Sequence, residues 1–223
     1  MPTQQSSQVL AAKRRSRFVR FHTRFESASV RGYVLDIGPK FFLLATVCDR
    51  IWFDGFECFR IADIRGFRPD PYAEFVEKAL EKRGERMPDK PAISLSSIQE
   101  LLLSGSGLFP LVTVHQEGVD PDVCWIGRVV GVNRDFLSLI EITPAAKWKT
   151  KATPFELKKI TRVGFGADYE AALYLVGGEP GKIRLPVRSF AAEQFIRRPG
   201  ARFSRRSMRQ ADSRSMHTPR RPH

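Results

Sequence analysis

Between Val30 and Phe67 the chain reads VRGYVLDIGPKFFLLATVCDRIWFDGFECFRIADIRGF, a succession of apolar stretches of strand length, rich in β-branched and aromatic residues. The stretches are Val34 with Leu35 and Ile37, then Phe41 to Val47, Ile51 to Phe53, and Phe56 to Ile64; Gly38-Pro39, Cys48-Asp49 and Asp54-Gly55 separate them. Just upstream, FVRFHTRFE alternates. Phe18, Arg20 and His22 fall on one side, Val19, Phe21 and Thr23 on the other, and Ser27-Ala28-Ser29 ends the strand. Five strands in about fifty residues, joined by hairpin-length connections, predict antiparallel pairing into a small bent barrel.

The period then changes. In PYAEFVEKALEKRG the residues Tyr72, Phe75, Val76, Ala79 and Leu80 recur at helical spacing, and Gly84 supplies a stop. Residues 85–94 read as a linker, and SSIQELLLSGSG as a short helix capped by Ser96 or Ser97 and ended by Gly105 and Gly107. The strand pattern then returns. Phe18-Val19-Arg20-Phe21-His22 is matched by Leu111-Val112-Thr113-Val114-His115, Val30-Arg31-Gly32-Tyr33-Val34 by Trp125-Ile126-Gly127-Arg128-Val129, and Ile61-Ala62-Asp63-Ile64 by Ile160-Thr161-Arg162-Val163. Tyr169 in DYEAALYLVGG answers Tyr72. The expected organisation is a disordered basic arm at 1–16, barrel and helix at 17–84, linker with short helix at 85–107, barrel and helix at 108–181, and a disordered arginine-rich tail at 182–223.

Composition adjusts this picture in three ways. The apolar run FFLLATVC, broken only by Thr46, falls far short of the roughly 20 residues of a membrane-spanning helix, and no apolar segment of signal-peptide type follows the basic N-terminus. A cytoplasmic location is the expectation. Cys48, Cys58 and Cys124 are odd in number and lack C-x-x-C spacing, so they read as buried thiols. The formal charge of +13 divides unevenly: residues 1–29 carry +5 and residues 182–223 carry +10, leaving −2 between them. The tails rather than the body then hold the charge that could meet phosphate. Lys13, Arg14 and Arg15 in the arm and Arg197, Arg198, Arg205 and Arg206 in the tail are the candidate contacts. For the tail three readings stand: a nucleic-acid or acidic-partner segment, an inert solvated one, or translation past a frameshift.

Ile126-Gly127-Arg128-Val129-Val130-Gly131-Val132-Asn133-Arg134-Asp135-Phe136-Leu137 resembles the first motif of Sm-like barrels in spacing, with Asn133 near the place of the acid. Ile64-Arg65-Gly66 resembles the second motif, and WFDGFECFRIADI with ITRVGFGADYEAALYLVGG looks like a bacterial group of Sm-like proteins. The resemblance covers both barrels and neither tail. It implies two tandem five-stranded barrels and, in the RNA-binding alternative, contacts to a base of single-stranded RNA from Arg65 in the first half and Asn133 in the second, neither half holding a complete pocket. Each half departs from the pattern: Gly38 stands where the first acid belongs, and Val163-Gly164 where the second Arg-Gly belongs.

No G-x-S-x-G, P-loop or metal-spaced His/Asp/Glu set is present. His22 and His115 hold equivalent strand positions and read as structural, while His217 and His223 lie in the tail. The chain is therefore expected to be a non-catalytic interaction module without cofactor, metal or small-molecule substrate. Its expected partners are a protein, a second copy met through barrel edge strands, or RNA met through the basic tails; an RNA-binding regulator is the alternative.

Overall fold

A computed structural model describes residues 3–181 and the backbone of Phe203–Ser204. The chain forms α1 (Gln4–Arg14), β1 (Phe18–Thr23), β2 (Glu26–Ile37), β3 (Phe41–Val47), β4 (Phe53–Arg60), β5 (Ile64–Pro69) and α2 (Ala73–Lys82). It continues with α3 (Ile98–Leu108), β6 (Val112–His115), β7 (Val123–Val132), β8 (Phe136–Glu141), β9 (Thr153–Glu156), β10 (Arg162–Phe165), α4 (Asp168–Gly177) and β11 (Phe203–Ser204). Short 3-10 turns, Ile61–Asp63 and Leu157–Lys159, stand between β4 and β5 and between β9 and β10.

Ten strands follow one antiparallel path, β5-β1-β2-β3-β4-β10-β6-β7-β8-β9, and β11 pairs with β7 beside it. The expectation of two separate barrels is corrected here: a single open sheet passes from one half to the other through β4 and β10. Within each half the fifth strand lies beside the first, and two main cores form, the second of them including Phe41, Leu43 and Cys58 of the first half. Val19, Phe21, Val34, Phe42, Leu44, Phe59 and Ile64 fill the first, closed by Val9 and Ala12 of α1. Leu137, Leu139, Phe155, Val163 and Phe165 fill the second, closed by Leu101 and Leu102 of α3.

Other boundaries move as well. The arm expected to be disordered is largely helix α1: Thr3 accepts the Ser6 N–H as N-cap, and Val9 is fully buried. The polar sequence of α1 hides this because only Val9 and Ala12 face inward, and tertiary contact supplies what local apolar content does not. The Ser27-Ala28-Ser29 stretch does not end a strand but lies inside the twelve-residue β2, and Asp54-Gly55 lies inside β4. Helix α3 belongs to the core of the second half rather than to a linker. Its Gly105 is not a terminator, since a Cβ there would stand 2.2 Å from the Phe165 ring.

Helices α2 and α4 pack on the outer faces of their halves, as the helical spacing implied. Val76 and Leu80 cover Phe18, Tyr33 and Val47, and Leu173 joins Leu111, Cys124, Ile126 and Ile142. Phe75, expected on the packed face, is instead 64% exposed. Gly32 and Gly127 occupy matching register positions, opposite Val19 and Val112. At either one a Cβ would lie 2.1 Å from a carbonyl oxygen of the next strand, that of Ala45 or Ile140.

Candidate partner-binding surfaces

The junction of the halves is built by Phe56, Glu57, Cys58 and Phe59 of β4 set against Phe165, Gly164, Val163 and Arg162 of β10. Arg162 pairs with Glu57 and lies 4.8 Å from the Phe59 ring centroid, with both charged side chains largely buried. Burial alone would lower the Arg162 pKa, but the Glu57 and Glu117 carboxylates raise it, so the guanidinium stays charged. A cavity of about 320 Å³ opens beside this seam, with Val47, Glu57, Thr113, Cys124, Arg162 and Glu170 in its wall.

Buried titratable groups crowd this cavity. Glu170 accepts hydrogen bonds from the Thr113 hydroxyl and from the Ala167 N–H, at 2.7 Å for the latter. Burial pushes its pKa up to about 7 in spite of those bonds. His115 and Cys124 face each other across β6 and β7, the arrangement from which a thiol nucleophile could be made. Their environment works against it: burial, followed by Arg162, holds the His115 pKa well below 6.5, and burial pushes the Cys124 thiol up to about 12. A nucleophilic cysteine needs the opposite, a depressed pKa. The nearness of Arg162 to this pair could not be read from the sequence, because it depends on the cross-seam pairing.

A second cavity, of about 670 Å³, lies where both β-turns approach the first turn of α3. Lys40, Arg60, Arg134 and Lys158 contribute to its wall together with Phe136 and Gln99. Arg60 donates to the Lys158 carbonyl at 3.1 Å, and Lys158 pairs with Glu156 at 3.1 Å.

The residues singled out from the sequence are scattered. Asn133 sits at the β7–β8 turn, where its Oδ1 accepts from the N–H groups of Asp135 at 2.9 Å and Phe136 at 2.8 Å, so its side chain closes the turn. Arg65 lies on β5 in the other half and donates to the carbonyls of Ile64 at 2.7 Å and Ala62 at 3.2 Å. Arg65 and Asn133 thus lie in different halves, and each is bonded to nearby backbone. Lys13 is held by Asp36, which Lys90 also engages at 2.9 Å. Burial raises the Asp36 pKa, but the bonds from Lys13 and Lys90 prevail and lower it to about 2. Arg14 and Arg15 are exposed at the C-terminal end of α1, where positive charge complements the helix dipole. Arg197, Arg198, Arg205 and Arg206 lie outside the described residues.

Among the described residues no group of His, Cys, Asp or Glu is placed to hold a metal ion, and no helix is long and apolar enough to cross a membrane. Comparison with protein families, with curated proteins and with solved structures found no match to this chain.

Proposed function

We propose that the chain is a non-catalytic interaction module, two fused Sm-like halves that bind a macromolecular partner through an edge strand. The observation that carries this is the β4–β10 seam. Each half follows the order helix, five strands and helix, with its fifth strand beside its first. At the seam, the fourth strand of one half covers the fifth strand of the other. The fifth strand of the first half, β5, and the fourth strand of the second half, β9, are left at the ends of the path.

These two ends differ. β9 has four residues against eight in β4, and Pro154 within it has no N–H to donate. Such a strand resists pairing with another chain. β5 has six residues, its one proline, Pro69, being the last of them, and, among the described residues, pairs on one side only, with β1. β5 is therefore the edge offered to a partner, and head-to-tail chains of copies through β9 are disfavoured. The high thiol pKa of Cys124 and the neutral His115 support the non-catalytic part of the reading.

The test is amide hydrogen exchange of the full chain, alone and bound to a partner recovered from its host. Slowed exchange across residues 64–68 is expected, and a partner that leaves β5 unchanged overturns the reading. The RNA-binding alternative is favoured by the second cavity, with Lys40, Arg60, Arg134 and Lys158 in its wall. Titration with an oligouridine at rising salt separates the two. Affinity that survives physiological salt in residues 1–181 would support the cavity, whereas binding lost with the tail and with salt is phosphate contact alone.

A further inference from the structure

The register of the first three strands places arginines directly opposite one another. Arg20 of β1 faces Arg31 of β2 on one side and Arg68 of β5 on the other, so a row of three runs across the sheet. Like charges at directly opposed positions destabilise a sheet. Arg31 is answered by Asp49, but Arg20 and Arg68 have no ion pair or side-chain hydrogen bond among the described residues.

A fourth arginine joins the same face through an irregularity. Arg65 opposes His22, and Arg68 opposes Arg20, two positions away on β1, so one extra residue of β5 is accommodated between them. In a regular strand, residues three apart point to opposite faces. The bulge, with Gly66 at φ +60°, puts Arg65 and Arg68 on the face that carries Arg20 and His22. A Cβ at Gly66 would lie 2.8 Å from the His22 ring, so the bend needs glycine.

Net charge conceals this patch. Arg17, Arg20 and Arg24 belong by position to the N-terminal charge excess, yet Arg20 lies on β1 within the folded body. Including residues 17–29, which carry +2, brings the body from −2 to zero, with four of its arginines, Arg20, Arg31, Arg65 and Arg68, at this edge.

We propose that the β5 edge, with the Arg31–Arg20–Arg68 row that runs to it, is a docking surface for an extended acidic protein segment, which adds as a strand beside β5 and sets carboxylates toward Arg68 and Arg20. This rests on the reading of β5 as the partner edge and adds the partner's chemistry. Two observations select an added acidic strand. The row runs perpendicular to the strands and ends at the open edge, so the next position, about 4.8 Å beyond Arg68, belongs to a residue of an incoming strand. The chain's own seam shows the same pairing, since Arg162 of a fifth strand meets Glu57 of the fourth strand laid beside it. The arginine charges repel a basic strand, an uncharged one would leave them buried without partners, and one of opposite charge is admitted, which gives selectivity as well as attraction. A second copy does not fit, because its free fourth strand β9 is short and interrupted by Pro154.

The test uses the full chain and a blocked ten-residue peptide of alternating Glu and Thr, followed by fluorescence anisotropy. A peptide of the same composition with all its glutamates first serves as the comparison. The alternating peptide is expected to bind more tightly, and Arg68→Glu to weaken it roughly tenfold. Arg20→Glu gives a second readout: it exchanges two like-charge oppositions for two opposite-charge ones, so the melting temperature rises while peptide affinity falls. Equal binding of both peptides with no effect of either variant overturns the proposal and assigns binding to the basic tail. Loss of oligouridine binding in these variants, with no peptide bound, also overturns it and gives the face to nucleic acid. If the natural partner slows exchange in β5 while the alternating peptide does not bind, the acidic chemistry falls and the edge-strand reading stands.

Discussion

Replacing Glu170 with glutamine isolates the effect of one buried ionisable group at the seam. The carboxyl is 7% exposed and accepts from the Thr113 hydroxyl and the Ala167 N–H. Its pKa stands at about 7 in the folded chain against an ordinary 4.5. Between those two values the unfolded chain has released its proton while the folded chain retains it. Stability is therefore fully present below pH 4.5 and declines as pH rises toward 7. At 1.36 kcal/mol for each pH interval the loss amounts to about 3 kcal/mol, and it stays constant above the folded value. A glutamine keeps both hydrogen bonds, its amide oxygen accepting from Ala167 and its amide nitrogen donating to Thr113 Oγ1, but it cannot ionise. Glu170→Gln should then match the wild type near pH 4.5 and exceed it by about 3 kcal/mol at pH 8. Urea unfolding of both proteins at pH 4.5, 6 and 8 measures the difference. An offset independent of pH, or a variant less stable at pH 8, would refute the argument that ionisation at this site opposes folding.

Val9→Asp should destabilise the first half by about 3 kcal/mol or more, since it buries a charge between α1 and the Phe21–Phe42 core; an unchanged thermal melt would return residues 1–16 to a disordered arm. Gly32→Ala and Gly127→Ala should each cost about 2–3 kcal/mol in chemical denaturation, because the added methyl meets a strand carbonyl. A large cost at one glycine and none at the other would break the structural correspondence between the halves.

The sequence by itself determined the strand-rich character and the places of the two outer helices. These rest on local periodicity. The period-two pattern of Phe18 to Thr23 placed Val19 and Phe21 on one face and Phe18 and Arg20 on the other, as the cores and α2 confirm. The sequence narrowed the α3 cap to Ser96 or Ser97, and the structure selects Ser97, whose hydroxyl accepts from the Glu100 N–H.

Only the tertiary structure decided what depends on contacts between distant segments. Helix α1 has too few apolar residues to declare itself, and its stability comes from the mouth of a core formed by residues 18–64. The two expected barrels became one sheet because β4 and β10 satisfy each other's backbone groups, a pairing across about a hundred residues that no local pattern encodes. Asn133 and Arg65 each matched part of a binding motif in the sequence, yet a turn claims one and its own backbone the other. The arginine row was absent from the sequence for the same reason. Arg31, Arg20 and Arg68 are scattered along the chain and become neighbours only through strand register, and a charge sum over segments cannot register a patch that neutral composition conceals.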